Sequence, residues 1–238
     1  MELDDEVLKE FGGSFSNNLS NVLKNHEDSE DEIQTFDHSP YLDMEHLRIK
    51  FAEKNDNFTI LSLNIQSIQA KFDKLTILIS YLQEASFSFS AICLQESWLT
   101  DSHDVSLLQL PGYNMIHQGK RSCGHGGLII YLREHFSYNA RSLCDTATTW
   151  EGLFIDVFHE SIDNKVTLGN IYRPPRSNNC NTVLETFIKE IRPVVETLSR
   201  ESSTLILTGD FNIDLLQINN RVKYQDYFDQ NNTTDPFC

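Results

Sequence analysis

From residue 58 onward the chain alternates short apolar runs with a stretch of helical periodicity, and this pattern most constrains its fold. The runs at residues 58–64 and 90–96 have the length and composition of strands. Between them, apolar side chains recur at helical spacing, at Ile68, Phe72, Leu75, Leu78, Ile79 and Leu82. The pattern therefore predicts a strand, a helix and a second strand.

Further strands are indicated downstream. Gly126-Gly127 opens the run at residues 128–132, and the runs at 153–158 and 166–172 flank Asp163-Asn164, where a turn is expected. After Pro174-Pro175, Thr182 and Glu185 form a capping box for a helix with apolar residues at 184, 187, 188, 191, 195 and 198. The apolar run at 204–208 is a last strand, so the pattern predicts a mixed α/β sheet protein.

The first 56 residues differ in composition from the rest. The whole chain of 238 residues carries a net charge of -16, and residues 1–45 hold 13 Asp and Glu against 2 Lys, a net of -11. Such a composition buries too little apolar surface to offset chain entropy. We expect residues 1–56 to be an acidic, mostly disordered segment, either an interaction tail or a solvated extension, and residues 57–238 to form the folded domain.

The sequence also bears on compartment. No apolar run of about 18 residues is available to span a membrane, and the first residues lack the basic and apolar regions of a signal peptide. Five cysteines with no Cys-x-x-Cys pair indicate reduced thiols rather than a disulfide framework. We expect an intracellular protein that is not secreted and has no membrane partner, with Cys93 buried in a strand.

Four predicted strands end in polar residues, at Asn64, at Glu96, at Tyr172 and at Asp210 with Asn212. Asp210 and Asn212 are two residues apart, so an extended backbone presents both on one side. Singly, each has a simple structural explanation as a turn residue, a solvated carboxylate or a packed tyrosine. Because functional residues of layered α/β proteins commonly lie where strands end, the four together predict one site.

Four stretches, taken in this order, carry a family resemblance: Leu63-Asn64-Ile65-Gln66-Ser67, Leu94-Gln95-Glu96-Ser97-Trp98-Leu99, Asn170-Ile171-Tyr172-Arg173-Pro174-Pro175 and Gly209-Asp210-Phe211-Asn212. They closely resemble motifs of the endonuclease/exonuclease/phosphatase superfamily. Within it, the chain is most similar to the apurinic-type endonuclease domain of non-LTR (LINE-like) retrotransposons. Pro111-Gly112-Tyr113, Arg121 and the stretch 124–131 strengthen this narrower match, and the resemblance covers about residues 57–230.

The resemblance implies a four-layer α/β/β/α sandwich of the DNase I-like type and Mg²⁺-dependent hydrolysis of a phosphodiester, with Mn²⁺ as a substitute ion. Glu96 would supply a metal-binding carboxylate, with Asn64 as an amide ligand or orienting group. Asp210 would align and deprotonate the attacking water or help to bind the metal. Asn212 and Tyr172 would donate hydrogen bonds to phosphate oxygens as charge develops.

One departure from the family qualifies this expectation. Members continue past the Gly-Asp-x-Asn strand to a second Asp and a terminal catalytic His, but only 26 residues follow Asn212 and none of the eight histidines lies beyond His159. We therefore expect a domain that is truncated and lacks its C-terminal strands. Three functions stay open: an active endonuclease, a non-catalytic fragment of one, and a phosphatase or phosphodiesterase of the same superfamily.

Double-stranded DNA is the partner that the resemblance implies, with a nuclear location. The overall charge would repel nucleic acid, so phosphate affinity would depend on Mg²⁺ and on local cations. The candidate cations are Lys120-Arg121, Arg173 and Arg176, each of which has the alternative interpretation of ordinary solvated surface. His117 and His125 are more typical of surface loop residues than of catalytic groups.

Overall fold

A computed structural model describes residues 58–84, 86–100, 102–119, 126–143, 147–159, 165–175, 180–201 and 204–213. The acidic segment at 1–56, the turn at Asp163-Asn164 and the stretch after residue 213 lie outside these ranges. The domain boundary near residue 57 and the C-terminal truncation therefore stay predictions.

Eight strands and two α-helices make up the described part of the chain. The strands are β1 (Ile60–Asn64), β2 (Ala91–Gln95), β3 (Tyr113–Gln118), β4 (Leu128–Arg133), β5 (Ser137–Arg141), β6 (Glu151–Phe158), β7 (Val166–Tyr172) and β8 (Thr204–Asp210). The helices are α1 (Ile68–Glu84) and α2 (Cys180–Glu201), with a short 3-10 helix at Val105–Leu108. Neither α-helix of this described part is both long and apolar enough to cross a membrane.

The strands form two four-stranded mixed sheets. The first has the order β1-β2-β4-β3 and the second the order β5-β6-β7-β8. In each sheet the pair joined through a helix is parallel, β1 with β2 and β7 with β8, and the other neighbours are antiparallel. A helical crossover carries the chain back to the end of the sheet at which the first strand began, so the two strands that it joins run in the same direction.

Alternation along the strands produces the layers. Leu61 and Leu63 of β1 pack with α1 on the outer face of the first sheet, whereas Ile60 packs between the sheets. In β8 the pattern repeats, since Leu205 and Leu207 pack in the cluster that contains α2 and Ile206 packs between the sheets. The order is α1, first sheet, second sheet, α2, which confirms the predicted α/β/β/α sandwich.

The predicted strands agree with the observed ones to within two residues at each end, and Cys93 is buried in β2 as expected. The strands β3 and β5 have no counterpart in the prediction. Both lie at sheet edges, and every residue of Ser137–Arg141 is exposed or half-buried, so β5 lacks an apolar pattern. The helix α2 begins at Cys180, two residues before the Thr182 that the capping pattern predicts as its N-cap.

Candidate active site

Strand alternation directs three of the predicted side chains into the space between the two sheets, at one rim. Asn64 ends β1 and lies on the same face of the strand as Ile60, Tyr172 ends β7, and Asp210 ends β8. Tyr172 belongs to the apolar cluster between the sheets and is the register partner of Asp210. Successive side chains of a strand point to opposite faces, so the inward-facing end of each strand supplies one polar group to the same place.

Glu96 reaches this rim by a different route. Alternation from Ile92 and Leu94, which pack with α1, would turn Glu96 away from the second sheet. The backbone of Glu96 instead has a φ of 52°, a left-handed conformation that reverses this direction, and the residue is 7% exposed. Such a conformation costs a non-glycine residue about 1–2 kcal/mol, which the surrounding contacts must offset.

A hydrogen-bond network joins the four side chains. Asn64 Nδ2 donates to Glu96 Oε1 at 2.9 Å and to Asp210 Oδ2 at 2.8 Å. The Tyr172 hydroxyl donates to the same Glu96 oxygen at 3.0 Å. The structure therefore brings together the strand-end residues that the sequence singled out, two from each sheet, and their chemical roles stay predictions.

Asn64 leaves one atom of this network without a partner. Its Oδ1 atom is buried and accepts no hydrogen bond from the described residues, because its amide nitrogen is directed to the two carboxylates. A buried polar atom of this kind is costly unless a ligand or water satisfies it. A hard divalent cation prefers oxygen ligands, so the donor set of Asn64, Glu96 and Asp210 fits one in chemical type.

The donor set is small. Within the ranges that the structure describes, no cluster of three or more His, Cys, Asp or Glu side chains is placed to hold a metal ion. The candidate site therefore rests on two carboxylates and one amide oxygen. An ion that keeps several water ligands and takes only one or two carboxylates, as Mg²⁺ does, matches a set of this size.

Tyr172 is held in its protonated form. Burial raises the pKa of the hydroxyl, and the negative charges of Glu96, Asp210 and Glu151 raise it further. The pKa lies well above its usual range, so the group is a hydrogen-bond donor throughout the neutral and mildly alkaline range. A donor that stays protonated in this range suits stabilisation of developing negative charge.

Asn212 lies just beyond β8 in a turn that also orients Asp210. The Asn212 backbone N–H donates to Asp210 Oδ1 at 3.1 Å, and its Nδ2 donates to the Arg173 carbonyl at 2.8 Å. Its φ of 48° is left-handed, a conformation that Asn tolerates better than most residues. Both oxygens of Asp210 are thus engaged, one by this turn and one by Asn64.

Gly209 makes this turn possible. Its φ is +139°, and a Cβ atom at this position would lie 1.8 Å from the Ile171 carbonyl oxygen. The close approach of β8 to β7 directly before Asp210 therefore requires glycine. This explains the glycine of the Gly-Asp-x-Asn motif in physical terms.

Glu151 is a residue at this rim that sequence reasoning missed. It is buried at the start of β6, beside Tyr172 in the sheet register, and its Oε2 accepts a hydrogen bond from the Gly127 N–H at 2.6 Å. The carbonyls of Gly126 and Gly127 in turn accept from the Trp98 and Ser97 N–H groups, next to Glu96. The sequence signal was Gly126-Gly127, since a Cβ at Gly126 would lie 2.7 Å from the Glu151 carboxylate.

A pair of buried amides behind the rim was also missed. Gln95 Nε2 donates to Asn170 Oδ1 at 2.6 Å, across the two sheets, and Asn170 Nδ2 donates to the carbonyls of Leu94 and Ile129 at 3.0 Å each. Gln95 is 1% and Asn170 0% exposed. The pair joins the sheets one residue before Glu96 and two before Tyr172, so it sets the separation of the strand ends.

The structure describes only two of the predicted cations and histidines, Arg173 and His117. Arg173 is buried rather than solvated, because its guanidinium donates to the carbonyls of Phe211 and Asn212. His117 lies in the edge strand β3. The other candidates, Lys120, Arg121, His125 and Arg176, lie outside the described residues.

Comparison with solved structures gives distant similarities. An AP endonuclease, LMAP, from Leishmania major is 15% identical with a TM-score of 0.52, over 66% of this chain and 55% of that one. The 3' phosphatase NExo from Neisseria, bound to product DNA hairpin, is 18% identical with a TM-score of 0.47, over 66% and 58%. A humanized D. rerio TDP2 is 17% identical with a TM-score of 0.47, over 70% and 71%.

No curated protein sequence matches the chain. The similarity to the Leishmania structure shows the fold, and this chain spans little more than half of that enzyme's length. A family model covers residues 61–234, from β1 to beyond the strand that carries Asp210. The chain belongs to the Endonuclease/Exonuclease/phosphatase family.

Proposed function

We propose that this chain is a Mg²⁺-dependent endonuclease that hydrolyses a backbone phosphodiester of double-stranded DNA, of the kind carried by non-LTR retrotransposons. The observation that carries the proposal is the shared amide of Asn64, which joins the carboxylates of Glu96 and Asp210 at the rim where the two sheets meet. Glu96 follows a strand of the first sheet and Asp210 ends a strand of the second, so their pairing depends on the packing of the two sheets.

Enzymes of this family generally use divalent metal ions. Glu96 and the unpartnered Oδ1 of Asn64 would hold the ion, with Asp210 near enough to assist, because Asn64 contacts both carboxylates. When bound, Mg²⁺ would neutralise charge on the phosphate and polarise its oxygens. Mn²⁺ also accepts oxygen ligands, so it is the substitute that we expect to support activity.

Asp210 is the proposed group that orients and deprotonates the attacking water. Its Oδ2 accepts from Asn64 and its Oδ1 from the Asn212 backbone, so the carboxylate is fixed before substrate arrives. A carboxylate held in this way contributes positioning as well as basicity. The water attacks phosphorus in line with the leaving 3' or 5' oxygen, and no covalent enzyme intermediate forms.

Tyr172 and Asn212 are the proposed donors to phosphate oxygens. The raised pKa of Tyr172 keeps its hydroxyl protonated, and the same hydroxyl already contacts Glu96 at 3.0 Å. Asn212 is exposed, and one hydrogen of its Nδ2 is used by the Arg173 carbonyl, which leaves the second for a phosphate. Removing one such donor typically costs about 10²- to 10³-fold in kcat.

DNA is favoured over other phosphodiesters by the retroelement-like stretches Gln95-Glu96-Ser97-Trp98-Leu99 and Tyr172-Arg173-Pro174-Pro175. A chromosomal target would place the protein in the nucleus. The competing substrate within the same family is a phosphoinositide or another small phosphodiester, and this alternative predicts hydrolysis without a requirement for duplex DNA.

Nicking of supercoiled plasmid tests the proposal. The full chain is incubated with plasmid and Mg²⁺, with Mn²⁺, and with a chelator, beside the Asp210→Ala variant. We expect open-circular product with either ion and none above background with the chelator or the variant. Asp73→Ala, at an exposed position of α1, is the matched control and should keep wild-type activity.

Two further arms separate the alternatives. Release of inorganic phosphate from a monoester of a phosphoinositide headgroup, or cleavage of a small phosphodiester, with no plasmid nicking, would assign the small-molecule activity instead. Absence of both activities in a folded protein with Mg²⁺ present would contradict the endonuclease proposal and favour the non-catalytic alternative. Equal nicking by wild type and Asp210→Ala would identify a contaminating nuclease and defeat the proposed role of Asp210.

A further inference from the structure

We propose that Arg173 is a positioning residue that clamps the turn carrying Asp210 and Asn212, and that it does not contact the phosphate itself. The inference rests on the proposed function, because it concerns the geometry of the proposed base and phosphate donor. It overturns the sequence-based expectation that Arg173 adds to the positive charge of the DNA-binding surface.

The guanidinium of Arg173 is directed inward. The residue is 4% exposed, and its Nη1 donates to the Phe211 carbonyl at 3.0 Å and to the Asn212 carbonyl at 2.9 Å. These two carbonyls belong to the residues directly after Asp210. A guanidinium that is desolvated, with Nη1 committed to two backbone acceptors, is poorly placed to bind a substrate phosphate.

The backbone of Arg173 contacts the same turn. Its N–H donates to the Asp210 carbonyl at 2.9 Å, and its carbonyl accepts from Asn212 Nδ2 at 2.8 Å. Residue 173 thus makes four hydrogen bonds to the segment 210–212, two through the side chain and two through the backbone. The side-chain pair acts on the two carbonyls that follow the end of the strand.

The turn requires such support. Asn212 has a φ of 48° and lies after the strand has ended, so strand pairing no longer holds its backbone. The same turn delivers the Asn212 N–H to Asp210 Oδ1, which sets the rotation of the carboxylate. A shift of the turn therefore moves the proposed base and the proposed phosphate donor together.

Phe187 of α2 fixes the guanidinium from another side. The Arg173 guanidinium carbon lies 5.6 Å from the centre of the Phe187 ring, a cation-π contact, and the Phe187 ring is 6.4 Å from that of Phe211. Arg is suited to this position because a planar guanidinium stacks on a ring while its nitrogens donate in the plane. Lys keeps the charge but provides neither the stacking nor the fixed donor geometry.

A double-mutant cycle with Arg173→Lys and Asn212→Ala tests the clamp on plasmid nicking. If Arg173 acts through the turn, Arg173→Lys lowers kcat by about 10²-fold, the scale of a small misplacement at an active site, and has a smaller effect once Asn212 is already Ala, because only its effect through Asp210 is left. Arg200→Lys is the control, since that side chain is 80% exposed on α2, and it should leave kcat unchanged.

The salt dependence of duplex DNA binding provides a readout that activity does not. When a cation that binds a phosphate is replaced by a neutral residue, the slope of log Kd against log salt falls by about 1. For Arg173→Met we expect an unchanged slope. A reduced slope would show a direct phosphate contact, and decreases of kcat that multiply independently in the double variant would show that Arg173 does not act through the turn; either result would overturn the inference.

Hydrogen exchange keeps the test independent of the proposed function. The Asn212 backbone N–H should exchange faster in Arg173→Lys than in wild type, and at the wild-type rate in Arg200→Lys. Unchanged exchange in Arg173→Lys would refute the clamp even if the protein is inactive. If wild type does not nick DNA but exchange is still faster in Arg173→Lys than in wild type, the clamp is supported and only the endonuclease proposal is refuted.

Discussion

The Nδ2 group of Asn64 donates to two carboxylates at once, to Glu96 Oε1 at 2.9 Å and to Asp210 Oδ2 at 2.8 Å. Glu96 follows a strand of the first sheet and Asp210 ends a strand of the second. A single neutral amide therefore holds two negative groups close together and joins the sheets at the rim.

Asn64→Asp should destabilise the metal-free protein and make it dependent on Mg²⁺. The substitution replaces two hydrogen-bond donors by a third negative charge, at a cost of about 1–3 kcal/mol. Thermal unfolding should show a lower Tm without metal, and Mg²⁺ should raise the Tm of the variant more than that of wild type. Asn114→Asp, at an exposed position of β3, is the control. An unchanged metal-free Tm would contradict the shared-amide description.

Tyr172→Phe should reduce kcat by about 10²-fold while the fold is retained. The variant removes only a hydroxyl, and Glu96 Oε1 still accepts from Asn64. Steady-state nicking kinetics measure the effect, with Tyr138→Phe on the exposed strand β5 as the matched control. If KM rises instead while kcat is unchanged, Tyr172 serves binding and not the transition state.

Gly209→Ala should destabilise the domain by more than about 3 kcal/mol, because the new methyl group would overlap the Ile171 carbonyl and the φ of +139° is unsuited to alanine. Denaturant unfolding measures the loss. Gly112→Ala is the control, since its φ of +80° is also left-handed but the nearest side-chain atom lies 3.8 Å away. It should cost only about 1–2 kcal/mol. Equal losses would show that backbone strain, not the clash, dominates.

Asn170→Leu should cost about 1–3 kcal/mol for each polar group that it leaves without a partner. It removes the donor to the Leu94 and Ile129 carbonyls and the acceptor nearest to Gln95 Nε2, which keeps Ser62 Oγ and the Cys93 carbonyl at 3.2 Å each. In a double-mutant cycle of unfolding free energies, Gln95→Leu should cost less in the Asn170→Leu background than in wild type, because the bond between the two amides is already broken. Strict additivity would mean that the two amides contribute independently. Asn139→Leu, on the exposed strand β5, is the control.

Glu190 should contribute stability that disappears in acid. Burial opposes ionisation of this carboxyl, but hydrogen bonds from the side chains and backbones of Thr148 and Thr149 outweigh it and lower the pKa. The folded state thus binds the proton more weakly than the unfolded state, so the contribution is present above pH 4.5 and declines as the pH falls through the lowered pKa. Unfolding free energies of wild type and Glu190→Gln should converge below that range, and parallel curves would contradict this.

Local sequence patterns predicted the buried elements well. The strands β1, β2, β4, β6, β7 and β8 carry enough apolar side chains to be recognised, and the helical spacing from Ile68 to Leu82 matches the buried face of α1. The edge strands β3 and β5 escaped prediction. Every residue of β5 is exposed or half-buried, so no apolar alternation reveals it. In β3 only Tyr113 and Ile116 are buried, and their spacing of three is not the period of a strand.

The sequence by itself determined which side chains lie at the strand ends, namely Asn64, Tyr172 and Asp210. Because side chains alternate with a period of two along a strand, all three point into the space between the sheets once the strands pair. Only the tertiary structure decided how these residues meet. The Gln95–Asn170 pair joins positions 75 apart in the chain, and the guanidinium of Arg173 reaches a carbonyl 39 positions away. The first contact forms only when the two sheets pack face to face and the second only when β7 pairs with β8 within the second sheet, and no local periodicity encodes either.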